Sequence, residues 1–253
     1  MPVLRSLLIA FSTYSRIPVP QVEWNEKNRR WSMCFFPLVG VAVGLLLWGW
    51  LALCGSLKIS PFLRGAVSAM LPLLITGGIH MDGYMDTIDA LASWQPKEKR
   101  LEILKDSHVG AFAVMGCAGY LLLSAALYAE AGPADGVRLP GVFVLSRSLS
   151  AFALLRLKNA RGQGMLDDTA RASGQHTVML SCAIYAVLCL LLWIVTGGWI
   201  AVFCALVAAL CYLYYQHMAR KQFGGVTGDL AGWFLQVTEL VLSAVIVIGG
   251  KLL

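Results

Sequence analysis

The order of apolar and polar positions divides the chain into long uncharged runs separated by short charged stretches. Between Arg30 and Lys58 lie 27 residues without a formal charge, and between Arg171 and Arg220 lie 48, broken near the middle by Gly197-Gly198. A helix crossing the ~30 Å hydrocarbon layer needs about 20 predominantly apolar residues, so the longer run holds two. Along the whole chain the pattern predicts seven spanning helices, at 33–54, 62–81, 110–130, 139–156, 176–196, 199–216 and 230–250. The second is short and ends in Gly77-Gly78. Leu4 to Tyr14 is too short to span and is not followed by a small-residue cleavage site. It is therefore expected to be an interfacial helix rather than a signal peptide.

Composition removes the alternative of a soluble enzyme. The 253 residues are 58% apolar and only 13% charged, with a mean hydropathy of +0.71. A soluble domain normally carries about a quarter charged residues. The expected fold is all-α, a polytopic integral membrane protein forming one domain over 1–253. With the N-terminus in the cytoplasm, fifteen of the twenty Lys and Arg residues fall on the inner side. Lys58, Arg64, Arg138 and Lys251 fall outside, and Arg147 lies within a span. That bias is the positive-inside pattern. The formal charge of +6 thus reflects topology and needs no nucleic-acid partner. The seven cysteines all sit in apolar runs without CxxC or zinc spacing, and read as small hydrophobes between helices. Membrane lipid is the expected surrounding, and a homo-oligomer stays open.

The carboxylates carry the chemistry. In GGIHMDGYMDTIDAL, residues 77–91, Asp82, Asp86 and Asp89 stand at i, i+4 and i+7. On a helix they fall within roughly 60° of one another. Such a stripe repels itself, and no Lys or Arg occurs between Arg64 and Lys97. Hard oxygen ligands without a local cation point to Mg²⁺ or Mn²⁺. The plainer alternative is a solvated acidic face with Asp82 as a helix N-cap. His80 points away from the stripe if the helix is continuous, and comes into play if Gly77-Gly78 breaks it.

A second segment, GGVTGDLAGWFLQVTEL at 224–240, echoes the first and sets Thr227 and Asp229 at the start of the last span. Asp229 is either an N-cap or a further cation ligand. Glu239 follows about 15 Å deeper. A carboxylate there is costly unless paired or functional, and Arg147 is the obvious partner. Alternatively, Arg147 reaches a phosphate. The loop at 92–109 starts an amphipathic helix at Pro96 and ends in Lys105, Asp106, Ser107 and His108. That cluster is either a phosphate contact or a polar helix terminus.

The acidic motif, together with KDSHVGAF at 105–112, GGVTGD at 224–229, SRIPVP at 15–20 and Ser146-Arg147, resembles the cobalamin (5′-phosphate) synthase family. These enzymes are also called adenosylcobinamide-GDP ribazoletransferases. The blocks lie in family order over nearly the whole chain. Two departures are Ala90, where members often carry Gly, and Gln236, where an acidic residue is common.

The resemblance implies an inner-membrane, Mg²⁺-dependent enzyme with its active site facing the cytoplasm. Such an enzyme joins α-ribazole or its 5′-phosphate to adenosylcobinamide-GDP and releases GMP. It also implies that Asp82, Asp86, Asp89 and Asp229 form the catalytic and metal-binding set, with Glu239 as a further metal candidate. Arg16, His80, Lys105, Asp106, Ser107, Arg147 and Thr227 would contact substrate, and Asp89 is the favoured proton acceptor. Two rival classes fit the sequence less well. A CDP-alcohol phosphatidyltransferase would need an Ala-Arg pair that is missing after Asp82-Gly83. A cation-coupled transporter would place its ionisable groups near the midplane in repeated halves.

Overall fold

The computed structural model describes residues 2–161 and 174–252, and these form eleven helices. The chain opens with α1 (Pro2–Tyr14), the short α2 (Glu26–Arg29) and α3 (Ser32–Ser56), then continues with α4 (Pro61–Thr76), α5 (Ile79–Ala92) and α6 (Lys97–Ile103). The remainder is α7 (Ala111–Glu130), α8 (Pro133–Arg156), α9 (Gln175–Gly197), α10 (Trp199–Phe223) and α11 (Gly228–Leu252). Six of these helices are long and apolar enough to cross a membrane, and the α4–α5 pair makes a seventh if taken as one broken span. The chain is therefore an all-α, multi-pass membrane protein. Arg171, assigned above to the inner side, lies outside the described residues.

Three boundaries differ from the hydropathy pattern: the span expected to end at 216 runs on through a polar, basic stretch to Phe223, and the other two differ for local reasons. The span expected at 62–81 stops at Thr76, because Gly77 and Gly78 take φ of 66° and 78°. Side chains rarely adopt that left-handed backbone. The chain turns by 99° there and starts a new helix at Ile79. The span expected from 139 begins at Pro133 instead, six residues earlier. Pro133 stands in the first turn, and the Asp135 carboxylate accepts from the Gly132 N–H at 2.9 Å. These polar residues lower the local hydropathy while capping the helix.

Helix α8 is the centre of the bundle. It packs on α3, α9 and α11, and most of its residues from Leu139 to Leu154 are buried. Trp193 of α9 is fully buried and its indole N–H donates to the Arg138 carbonyl at 3.0 Å. Five cysteines are buried and two half-buried, all of them free thiols. Arg64, Arg138 and Lys251 gather at one end of the bundle, on the Ala129 carbonyl, the Thr196 carbonyl and Glu130 respectively. The acidic segment lies at the other end, where α7 and α11 begin.

Candidate active site

Helix α5 is held against the N-terminal turns of α7 and α11. Tyr84 meets Tyr120 at 5.4 Å between ring centroids, and Ile88 fills the space beside Gly116. On the α11 side the approach is backbone to backbone. A Cβ at Gly83 would stand 2.7 Å from the Asp229 carbonyl oxygen, and one at Gly232 2.9 Å from that of His80. Only glycine permits such contact, and it brings Asp229 across from the Asp82–Asp86 face.

The three aspartates of the stripe have different surroundings. Asp82 is exposed and Asp86 half-buried, and among the described residues neither accepts a hydrogen bond. Asp86 lies within electrostatic reach of Asp82, Asp229 and Asp89, with Arg161 opposing them. Asp82 is not an N-cap, since Gly78 occupies that position and Asp82 sits within the first turn of α5. Asp89 is committed elsewhere. Its two oxygens accept from the backbone N–H groups of Gly110 at 2.6 Å and Ala113 at 2.8 Å. It thus caps α7 from a neighbouring helix, satisfying donors that α7 itself leaves open.

This cap makes a prediction. Asp89→Ala should lower stability by about 0.5–2 kcal/mol, as loss of an N-cap does. The loss should appear as weaker amide hydrogen-exchange protection in the first turn of α7, and Asp89→Asn should retain part of it.

Asp229 is the second residue of α11, and Thr227 is the N-cap: its Oγ1 accepts from the Leu230 N–H at 3.2 Å. Asp229 Oδ2 accepts from Thr227 Oγ1 at 3.4 Å and from Arg161 Nη2 at 3.0 Å. Arg161 also donates to the Leu104 carbonyl at 3.3 Å. No Lys or Arg is near the acidic stripe in the chain, yet Arg161 reaches the site through Asp229, 68 positions further along. The reason is a short pairing of two segments. Val226 N–H donates to the Lys158 carbonyl at 2.8 Å and Ala160 N–H to the Val226 carbonyl at 2.9 Å. Gly225 fits against the Lys158 carbonyl. Sequence reasoning missed Arg161; its one signal was position, in a basic stretch directly after α8.

The remaining candidates fall into four places. Arg147 and Glu239 form a buried pair, Nη1 to Oε1 at 2.6 Å with both side chains almost fully enclosed. Ser146 adds a hydrogen bond to Glu239 at 3.0 Å. Arg16 is exposed and lies along Gly77, with its own N–H donating to the Ile75 carbonyl at 2.7 Å. Lys105, Asp106 and Ser107 are exposed on the loop before α7, tied to the site through Gly110 and Asp89. There the His108 backbone N–H and ring hold the Asp106 carboxyl below the usual carboxylate range.

His80 is buried, and the break at Gly77-Gly78 brings it to the site. With Tyr14, Phe36, Asp82 and Asp229 it lines a cavity of roughly 200 Å³. The Arg147 guanidinium stands 5.9 Å from the Phe36 ring, so the Arg147–Glu239 pair lies behind that wall.

Among the described residues, no three His, Cys, Asp or Glu side chains converge closely enough to hold a metal on their own. Two carboxylates one helical turn apart, neither accepting a hydrogen bond among the described residues, still suit Mg²⁺. That ion is usually held by one or two carboxylates, with water and substrate phosphates completing the shell.

The family model for cobalamin-5-phosphate synthase matches residues 6–247. The chain belongs to that family. An adenosylcobinamide-GDP ribazoletransferase of Lachnoclostridium phytofermentans is 40% identical over 98% of this chain and 95% of its own length. Proteins of the same name from Geobacillus thermodenitrificans and Desulfitobacterium hafniense are each 35% identical, over 94% and 95% of this chain and 94% and 96% of their own. No solved structure matches the chain. Neither the phosphatidyltransferase nor the transporter reading is favoured beside this match.

Proposed function

We propose that the chain transfers α-ribazole, or its 5′-phosphate, onto adenosylcobinamide-GDP at the cytoplasmic face of the inner membrane. Adenosylcobalamin or its 5′-phosphate is formed and GMP leaves. The family match carries the reaction class. What supports this reading in the molecule is the pair of carboxylates Asp82 and Asp86, which accept no hydrogen bond among the described residues and face Asp229 across the Gly83 contact.

The bond changes define what the residues must do. A ribose hydroxyl of the acceptor attacks the phosphorus that bears the corrinoid, and the phosphorus–oxygen bond to GMP breaks. Asp82 and Asp86 would hold Mg²⁺, which when bound would offset the charge developing on the diphosphate. Asp229, positioned by Arg161 and Thr227, takes the hydroxyl's proton in place of Asp89, whose oxygens serve α7. Arg16 and Lys105 are the cations available to the phosphates, while Arg161 is engaged by Asp229 and Arg147 by Glu239.

The test is GMP release by the purified protein in detergent or liposomes. Release should require Mg²⁺, adenosylcobinamide-GDP and α-ribazole together, and should stop on chelation and return on adding Mg²⁺. Release without α-ribazole, or undiminished by chelation, would contradict the reading.

A further inference from the structure

The cavity beside Asp82 and Asp229 has features that the transfer step alone does not use. Tyr14, Phe36 and His80 form one continuous aromatic wall, with ring centroids 4.4 Å apart for Tyr14–Phe36 and 5.8 Å for Phe36–His80. Met33 and Leu154 contribute further apolar lining, and Ser150 contributes a hydroxyl. His80 is 6% exposed, and its Nε2 is buried without a hydrogen-bond partner among the described residues. That nitrogen has essentially no accessible surface, so an occupant of the cavity meets other atoms of the imidazole rather than Nε2.

Size and chemistry limit the occupant. Roughly 200 Å³ is below the about 300–1,000 Å³ that encloses a drug-sized ligand. The cavity therefore takes a ring system and leaves an attached sugar at the mouth, where Asp82 and Asp229 stand. Flat heteroaromatic rings suit aromatic walls. Away from the two carboxylates, the hydroxyls of the described lining are those of Thr13, Tyr14 and Ser150, of which Thr13 donates to the Ile9 carbonyl and Tyr14 to the Met33 sulfur. Guanine presents several donors and acceptors on its edge and would leave most of them unpaired in such a lining. A benzimidazole has one ring nitrogen besides the glycosidic one and an otherwise apolar edge.

We infer that this cavity is the subsite for the base of the acceptor nucleoside, the benzimidazole of α-ribazole. This rests on the function proposed above and deepens it. The ring enters between the aromatic wall and α11, its free nitrogen meets the Ser150 hydroxyl, and the ribose hydroxyl is left beside Asp82 and Asp229. The subsite thus orients the nucleophile and selects the lower-ligand base.

The experiment uses the full chain in detergent. First, binding of α-ribazole alone is measured on the wild type, with guanosine as competitor. α-Ribazole should bind, and excess guanosine should leave it bound. Displacement by guanosine would overturn the assignment and give the cavity to the donor's base. Second, Ala231, which lines the cavity at the first turn of α11, is replaced by Phe to fill it. Ala231→Phe should raise the KM for α-ribazole by at least about tenfold, the scale of a lost apolar fit. The KM for adenosylcobinamide-GDP should stay within about twofold. The reverse split would overturn the inference.

If Ala231→Phe does not fold, Ser150→Ala should change the preference between benzimidazole and adenine α-nucleosides, and an unchanged preference counts against the subsite. Wild-type protein that never releases GMP would instead defeat the proposed function, so the two failures are distinguishable.

Discussion

Replacing Asp82 by Asn should reduce GMP release by about 10³-fold or more while the protein still inserts and folds. Metal stabilisation of a transferring phosphoryl group is worth several kcal/mol, and each 1.36 kcal/mol is tenfold in rate. Asp82 is exposed and has no partner among the described residues, so an isosteric amide removes charge without disturbing packing. Asp86→Asn should act in the same direction. The contrast is with Asp89, where substitution weakens a helix start before it affects chemistry. Turnover assays paired with thermal unfolding would separate the two: Asp82→Asn should lose rate at unchanged melting temperature, and Asp89→Ala should lose melting temperature. A fully active Asp82→Asn enzyme would remove this carboxylate from the mechanism.

The second large effect lies deeper. Arg147→Ala should destabilise the protein by about 3–5 kcal/mol, because it leaves the Glu239 carboxylate buried and uncompensated. Arg147 is completely enclosed and Glu239 is 2% exposed, so water cannot take the lost partner's place without repacking. Adding Glu239→Gln should restore much of the loss, since the amide removes the stranded charge and can keep the Ser146 contact. Unfolding midpoints of the two single variants and the double variant would measure the coupling. If Arg147→Ala folds normally but loses affinity for the diphosphate substrate, Arg147 serves phosphate binding and the pair is not a structural element.

The parts of this fold that depend on nearby residues were readable in the sequence. Uncharged runs marked the spans, but the break at Gly77-Gly78 was only one of two alternatives, because two adjacent glycines permit successive left-handed residues without requiring them. The aspartate stripe followed from helical period alone. What escaped depends on distant chain segments. Asp89 caps a helix 21 residues on, and nothing in its spacing distinguishes it from Asp82 or Asp86. Arg161 reaches Asp229 only because residues 158–160 pair with Val226, a contact no periodicity records. The start of α8 escaped for a different reason. Its first turn is built from capping residues, whose polarity hides a helix from any hydropathy window.

The most direct measurement is Mn²⁺ binding, followed by electron paramagnetic resonance, with adenosylcobinamide-GDP present and α-ribazole withheld. Wild-type protein should bind the ion and deplete the free Mn²⁺ signal, whereas the Asp82→Asn, Asp86→Asn double variant should leave that signal undiminished. Equal depletion by both proteins would contradict the assignment of the ion to these two carboxylates.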